Sequence, residues 1–185
     1  MPAHICPWWL GYLLASPLRS LIQDPVKILE PHVRSGMRVL ELGPGMGFFT
    51  LELARQVGLN GQVIAVEVQP RMLRGLQRRA AKGRLLNRIE LRQGRSDSMA
   101  VPDLAGTVDF ILAFAVVHEL PSSEGFFTEA ACALKPGGRL LLAEPAGHVP
   151  LAHFEEELRI ATHTGLSLLE RPVIRRSHAA LFAKP

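Results

Sequence analysis

A glycine loop, Glu41-Leu42-Gly43-Pro44-Gly45-Met46-Gly47, lies between a short apolar run at 38–42 and a segment at 48–57 whose apolar residues recur at helical spacing. Lacking a Cβ, glycine can take positive φ and let a ligand lie against the backbone itself. At a strand-to-helix turn, backbone amides and a helix N-terminus can meet that ligand together. The next apolar run, 62–67, ends in Glu67, 20 residues beyond Gly47, where a carboxylate can accept both hydroxyls of a ribose. The glycines fall at 43, 45 and 47, and Phe48 stands where a GxGxxG dinucleotide fingerprint would close, so the spacing disfavours NAD. No Gly-Lys-Ser/Thr follows, which excludes a P-loop. Glu41 would sit badly beside a pyrophosphate and well beside a cationic amino group or a sulfonium.

The rest of the chain alternates in the same way. Strands are expected at 38–42, 62–67, 89–92 (more polar, hence near an edge), 108–113 (almost wholly apolar, hence central) and 139–143. Between them, helices are expected at 48–57, at about 71–82 behind Pro70, and from Ser122 or Ser123 through Leu134, stopped by Pro136-Gly137-Gly138. A further helix is expected at 151–163. Two strand-like runs, within 166–174 and 179–183, read as a terminal hairpin with an antiparallel last strand. Ahead of the first strand, 16–33 is amphipathic, and Pro25 is expected to break it. The pattern predicts an α/β protein with a Rossmann-like, doubly wound sheet of mostly parallel strands.

Composition fits this class. A chain of 185 residues, 48% hydrophobic, can bury about 70% of its unfolded surface without staples. Cys6 and Cys132 lie far apart with no CxxC spacing, which argues against a secreted scaffold and a zinc ribbon and for a reducing cytoplasm. The apolar stretch 5–16 is too short to span a bilayer, which takes about 20 residues, and no Lys or Arg precedes it as a signal peptide would need. Residues 71–95 hold eight Arg and Lys82 against Glu90 alone, a local charge of +8 in a chain of net +4. A solvated helix face accounts for this patch more simply than a polyanion site.

Four motifs in order, VLELGPGMGFFTLELA, VIAVEV, VDFILAFAVVHEL and LKPGGRLLLAEP, resemble the class I S-adenosylmethionine-dependent methyltransferases over roughly residues 25–184. The likeness is to the small-molecule branch, such as the ubiquinone/menaquinone-biosynthesis methyltransferases. The resemblance implies a seven-stranded sheet with an antiparallel seventh strand, S-adenosylmethionine as cofactor and S-adenosylhomocysteine as product. It further implies that Glu41 and the Gly43, Pro44, Gly45 and Gly47 backbone hold the methionine end, that Glu67 takes the ribose hydroxyls and that Val68 flanks adenine. Asp97, with Ser96 and Ser98, matches the position that bonds the adenine amino group, and Ala113 and Phe114 match the contact with the amino acid portion.

Methyl transfer from a sulfonium is an in-line displacement, so holding the nucleophile about 3 to 3.5 Å from the methyl carbon supplies most of the acceleration. A base should project from the carboxyl end of the fourth or fifth strand. His118 and Glu119 occupy the first place and Glu144 the second; His118 is the preferred base, and the alternative is that His118 and Glu119 only orient their loop or cap the following helix. Asp109 is expected to anchor a neighbouring helix or turn. Trp8, Trp9 and Tyr12 fall within five residues and suit a lid over the acceptor, or else pack a terminal helix. The expected organisation is an N-terminal helical cover, 1–34, on a methyltransferase domain, 35–185. No metal, nucleic acid or membrane insertion is expected, and the protein is read as a cytoplasmic monomer or homodimer acting on a small molecule. The rival readings are an RNA or protein methyltransferase using the patch from Arg71 to Arg95, and a non-catalytic cofactor-binding module.

Overall fold

The computed structural model describes residues 19, 20 and 22–185. Seven strands, β1 (Arg38–Leu42), β2 (Gln62–Glu67), β3 (Ile89–Gln93), β4 (Val108–Phe114), β5 (Leu134–Pro145), β6 (Ser167–Glu170) and β7 (Ser177–Ala183), form one sheet in the order β3-β2-β1-β4-β5-β7-β6. Among the described residues the α-helices are α1 (Pro25–Leu29), α2 (Thr50–Gln56), α3 (Pro70–Lys82), α4 (Ser123–Ala133) and α5 (Leu151–His163). The chain divides into two compact units, the first ending at Gly94 and the second running from Arg95.

In the first unit β1, β2 and β3 pair in parallel, with Val39 opposite Val63 and Val63 opposite Ile89. Both inner strands are apolar along nearly their whole length and buried on both faces, as helix-covered parallel strands must be. Asp24 caps α1 by accepting the Val26 amide at 3.0 Å, and Pro25 sits at the first turn, where its missing N–H costs nothing. The break expected at Pro25 is therefore a helix start. On α3, Met72, Gly75, Leu76 and Ala80 are buried while Arg71, Arg74, Arg78 and Lys82 face out, so much of the basic patch is a solvated helix face. Helix α2 begins at Thr50, with Phe49 at its N-cap, and not at Phe48, because the turn that follows the glycine loop runs on through Phe49.

In the second unit β4 pairs with β5 in parallel, and β7 runs antiparallel to both β5 and β6. The terminal hairpin is thus present. Ser122 caps α4 through the Gly125 amide at 3.0 Å. This helix ends at Ala133, one residue sooner than expected, and β5 starts at once, so Lys135-Pro136-Gly137-Gly138 is strand and not a stop. Reciprocal bonds, Gly137 N–H to the Lys184 carbonyl and Lys184 N–H to the Gly138 carbonyl, hold this extension against the end of β7. A side chain at Gly138 would come within 3.0 Å of the Val108 carbonyl, so glycine permits the close strand approach. Asp109 accepts from Lys135 Nζ at 2.7 Å, which ties it to a residue of β5. Phe110, Phe127, Phe154 and Phe182 are fully buried, each worth about 1.5–3 kcal/mol of apolar transfer.

Candidate functional site

The strand ends in the first unit converge on the glycine loop. Gly43, Gly45 and Gly47 all take positive φ, at 66°, 55° and 86°. The loop is fastened from both sides: the Gly43 amide donates to the Val66 carbonyl at 3.0 Å, and the Gly45 amide donates to Glu67 Oε2 at 3.1 Å. Glu67 Oε1 accepts the Gln69 amide at 2.9 Å, which fixes the carboxylate at the mouth of β2. A Cβ on Gly47 would fall 2.4 Å from Leu76 Cδ1, whereas one on Gly45 would meet nothing within 4 Å. Gly47 is glycine for packing, and Gly45 leaves open space beside the backbone. Pro44 is buried beneath the turn.

Glu41 is 3% exposed on β1, and its Oε2 has no hydrogen-bond partner. Burial pushes its carboxyl up to about 8; Thr50 tempers the shift, the Glu67 charge adds to it, and Arg19 opposes it. The Thr50 hydroxyl lies near enough to exert this influence but makes no well-formed hydrogen bond. Arg19 was not singled out in the sequence. Its guanidinium lies 4.5 Å from the Phe48 ring centroid and 5.5 Å from that of Phe49, and burial pushes its pKa down to about 10 against the pull of Glu41. A buried carboxyl with an unused oxygen beside an open glycine backbone is a fitting partner for an ammonium group.

Val68 lines an open concavity with Gln69, Pro70, Arg71 and Arg74, directly after Glu67. In the second unit, Ser96 and Asp97 are exposed in a tight turn closed by the Arg95–Ser98 bridge, with Asp97 paired to Arg95 at 3.2 Å and Ser98 Oγ accepting the Ala100 amide. Ala113 and Phe114 are the buried last residues of β4. Trp8, Trp9 and Tyr12 lie outside the described residues.

The second unit brings His118 and Glu144 together. Glu144, fully buried near the end of β5, accepts the Val117 amide at 2.8 Å and the Val116 amide at 3.3 Å through Oε1. Its Oε2 meets His118 Nδ1 in a short hydrogen bond. A buried carboxylate can only accept here, so Nδ1 carries the proton and Nε2 is the basic atom. Burial alone would lower the His118 pKa; the Glu144 hydrogen bond and charge, with Glu119 and Glu157 behind them, raise it above its ordinary 6.5. The His148 ring packs edge-on against His118 at 5.1 Å. Glu119 completes the same short turn, Val117–Glu119, and acts on His118 by charge. Glu157, on α5, was missed in the sequence, although a glutamate in the apolar stripe of Phe154, Leu158 and Ala161 is a readable anomaly.

The methyltransferase-domain family matches residues 33–171. The chain belongs to this family. Its class is the S-adenosylmethionine-dependent one: a methyltransferase of that kind from Aquifex aeolicus, known from its crystal structure, superposes with a TM-score of 0.84 at 25% identity, over 97% of this chain and 98% of that one. An arsenite methyltransferase of Halobacterium salinarum is 31% identical over 62% of this chain, and a demethylmenaquinone methyltransferase of Lactiplantibacillus plantarum is 31% identical over 61%. The methyltransferase domain described here spans 29% and 47% of those two relatives' lengths. S-adenosylmethionine is the cofactor of this class, and the open backbone at Gly45 with the unpartnered Glu41 Oε2 fits its methionine end. Among the described residues no helix is long and apolar enough to cross a membrane.

Proposed function

We propose that this domain methylates a small-molecule acceptor whose nucleophilic atom carries a proton, with His118 as the base. The observation that carries this reading is the Nδ1 hydrogen bond to buried Glu144, which orients the imidazole and leaves Nε2 to take a proton. S-adenosylmethionine supplies, when bound, an electrophilic methyl on a sulfonium. Gly43, Pro44, Gly45 and Gly47 with Glu41 hold the methionine end, Glu67 accepts from the ribose hydroxyls, and Val68, Ser96, Asp97 and Ser98 take the adenine. Ala113 and Phe114 contact the amino acid portion. Glu119 tunes His118 by charge, and Trp8, Trp9 and Tyr12 are the residues proposed to bind the acceptor.

The names of the arsenite and demethylmenaquinone relatives favour a small acceptor. The test is a screen of hydroxyl, amine and thiol acceptors for S-adenosylhomocysteine release, repeated with His118→Ala. Turnover should fall about 10²- to 10⁴-fold with cofactor affinity unchanged. Unaltered turnover would remove His118 from the chemistry, and activity confined to RNA or protein substrates would overturn the small-molecule reading.

A further inference from the structure

Glu157 is a buried carboxyl that the fold does not need. It sits on the inner face of α5 with Phe154, Leu158 and Ala161, 1% exposed, and neither Oε1 nor Oε2 has a hydrogen-bond partner. Leaving such a group unsatisfied is destabilising, and an apolar residue at the same position would avoid that cost. Its surroundings are titratable on several sides. Glu144 on β5 and His118 in the turn after β4 act on it by charge, and His153, one helical turn earlier on α5, places Nε2 3.7 Å from Glu157 Oε1. His148 packs on His118, and His178 of β7 stacks on Phe154 and pairs in register with Glu144. His153 is 57% exposed, so this cluster reaches water through it.

We propose that Glu157 is a positioning residue for the His118–Glu144 pair, holding a proton while His118 is neutral and releasing it through His153 when His118 takes one up. The proposal rests on the reading of His118 as the base. In the step, the bond between the acceptor's nucleophilic atom and its proton breaks, the pair staying on that atom, and the proton bonds to His118 Nε2. The Glu157 O–H bond then breaks, the pair remaining on the carboxylate, and the proton passes to His153 Nε2 and on to solvent. The step turns Glu157 from neutral to anionic and His118 from neutral to cationic, so the net charge of the cluster is unchanged. The electrostatics agree in sign: burial and the Glu144 charge push the Glu157 carboxyl up to about 8, and the His118 cation pulls it down.

The test is a pair of titrations that do not involve methyl transfer. Histidine-selective NMR follows His118 in the wild type and in Glu157→Gln, and infrared difference spectroscopy follows the protonated Glu157 carbonyl in the wild type and in His118→Gln. Glu157→Gln should lower the His118 pKa, and His118→Gln should raise the Glu157 pKa, since a coupling between two sites acts in both directions. Should Glu157→Gln fail to fold, the His118→Gln arm still decides. A His118 titration unmoved by Glu157→Gln, or a Glu157 band that ionises identically without His118, would overturn the proposal while leaving the proposed function standing. Loss of cofactor binding or of methyl transfer, with the coupling intact, would do the reverse.

Discussion

The Gly45 amide donates to Glu67 Oε2 at 3.1 Å across 22 residues of sequence, so the end of β2 fixes the conformation of the loop that follows β1. Glu67 accepts a second amide, Gln69, through its other oxygen. Glu67→Gln must turn an NH₂ group toward one of these two donors. Denaturant melts should show a loss of about 1–3 kcal/mol, the cost of an unsatisfied part-buried donor, with amide exchange at Gly45 or Gln69 accelerated beyond that at Val39. Equal protection at both Gly45 and Gln69 in the two proteins would show that Glu67 does not hold the loop.

Two alanine substitutions in the same loop should separate packing from binding. At Gly47 the new methyl meets Leu76 at 2.4 Å and φ is +86°, so Gly47→Ala should destabilise by about 1–3 kcal/mol. At Gly45 the space is open and φ is +55°, so the stability loss is limited to backbone strain of about 1–2 kcal/mol. There the methyl intrudes on the face offered to the cofactor. Calorimetry should find Gly45→Ala the more damaging to S-adenosylmethionine affinity, and thermal melts should find Gly47→Ala the more damaging to the fold.

Glu41 gives the protein a pH signature. Its folded pKa, about 8, lies above the ordinary 4.5, so the folded state holds this proton more tightly than the unfolded state. The resulting stability is fully present below about 4.5 and is lost as pH rises through 8. Glu41→Gln should flatten that part of the stability profile. A cofactor ammonium bound to Glu41 favours the carboxylate, so S-adenosylmethionine affinity should rise with pH toward 8 and binding should release protons. Calorimetry in buffers of different ionisation enthalpy measures this directly.

The tautomer of His118 depends on Glu144. In Glu144→Gln the amide oxygen can still accept the Val117 N–H, which leaves NH₂ facing His118 Nδ1 and drives the imidazole proton to Nε2. Nitrogen-15 NMR should report the switched tautomer, and methyl transfer should drop about 10²- to 10⁴-fold. An unchanged tautomer with full activity would remove the pair from the mechanism.

The sequence carried the strands well where periodicity and punctuation agree. The runs 38–42 and 62–67 match β1 and β2, and 151–163 matches α5, because apolar patterning and caps point the same way there. It misplaced the start of α2, where a local turn runs on past the glycine loop, and the start of β5, where the long-range tie between Gly137 and Lys184 decides. The Gly45–Glu67 and His118–Glu144 contacts join residues that the motifs had already marked. Arg19 stayed hidden, since its burial shows only in three dimensions, whereas Glu157 was legible as a glutamate in the apolar stripe of its helix and was passed over.

The most direct test of the whole account is calorimetric titration of S-adenosylmethionine into the wild-type protein and Glu67→Ala. One site per chain is predicted, with affinity in the variant weakened by about 1–3 kcal/mol, roughly 5- to 150-fold. Equal affinity in the two proteins, or no binding to the wild type, would contradict it.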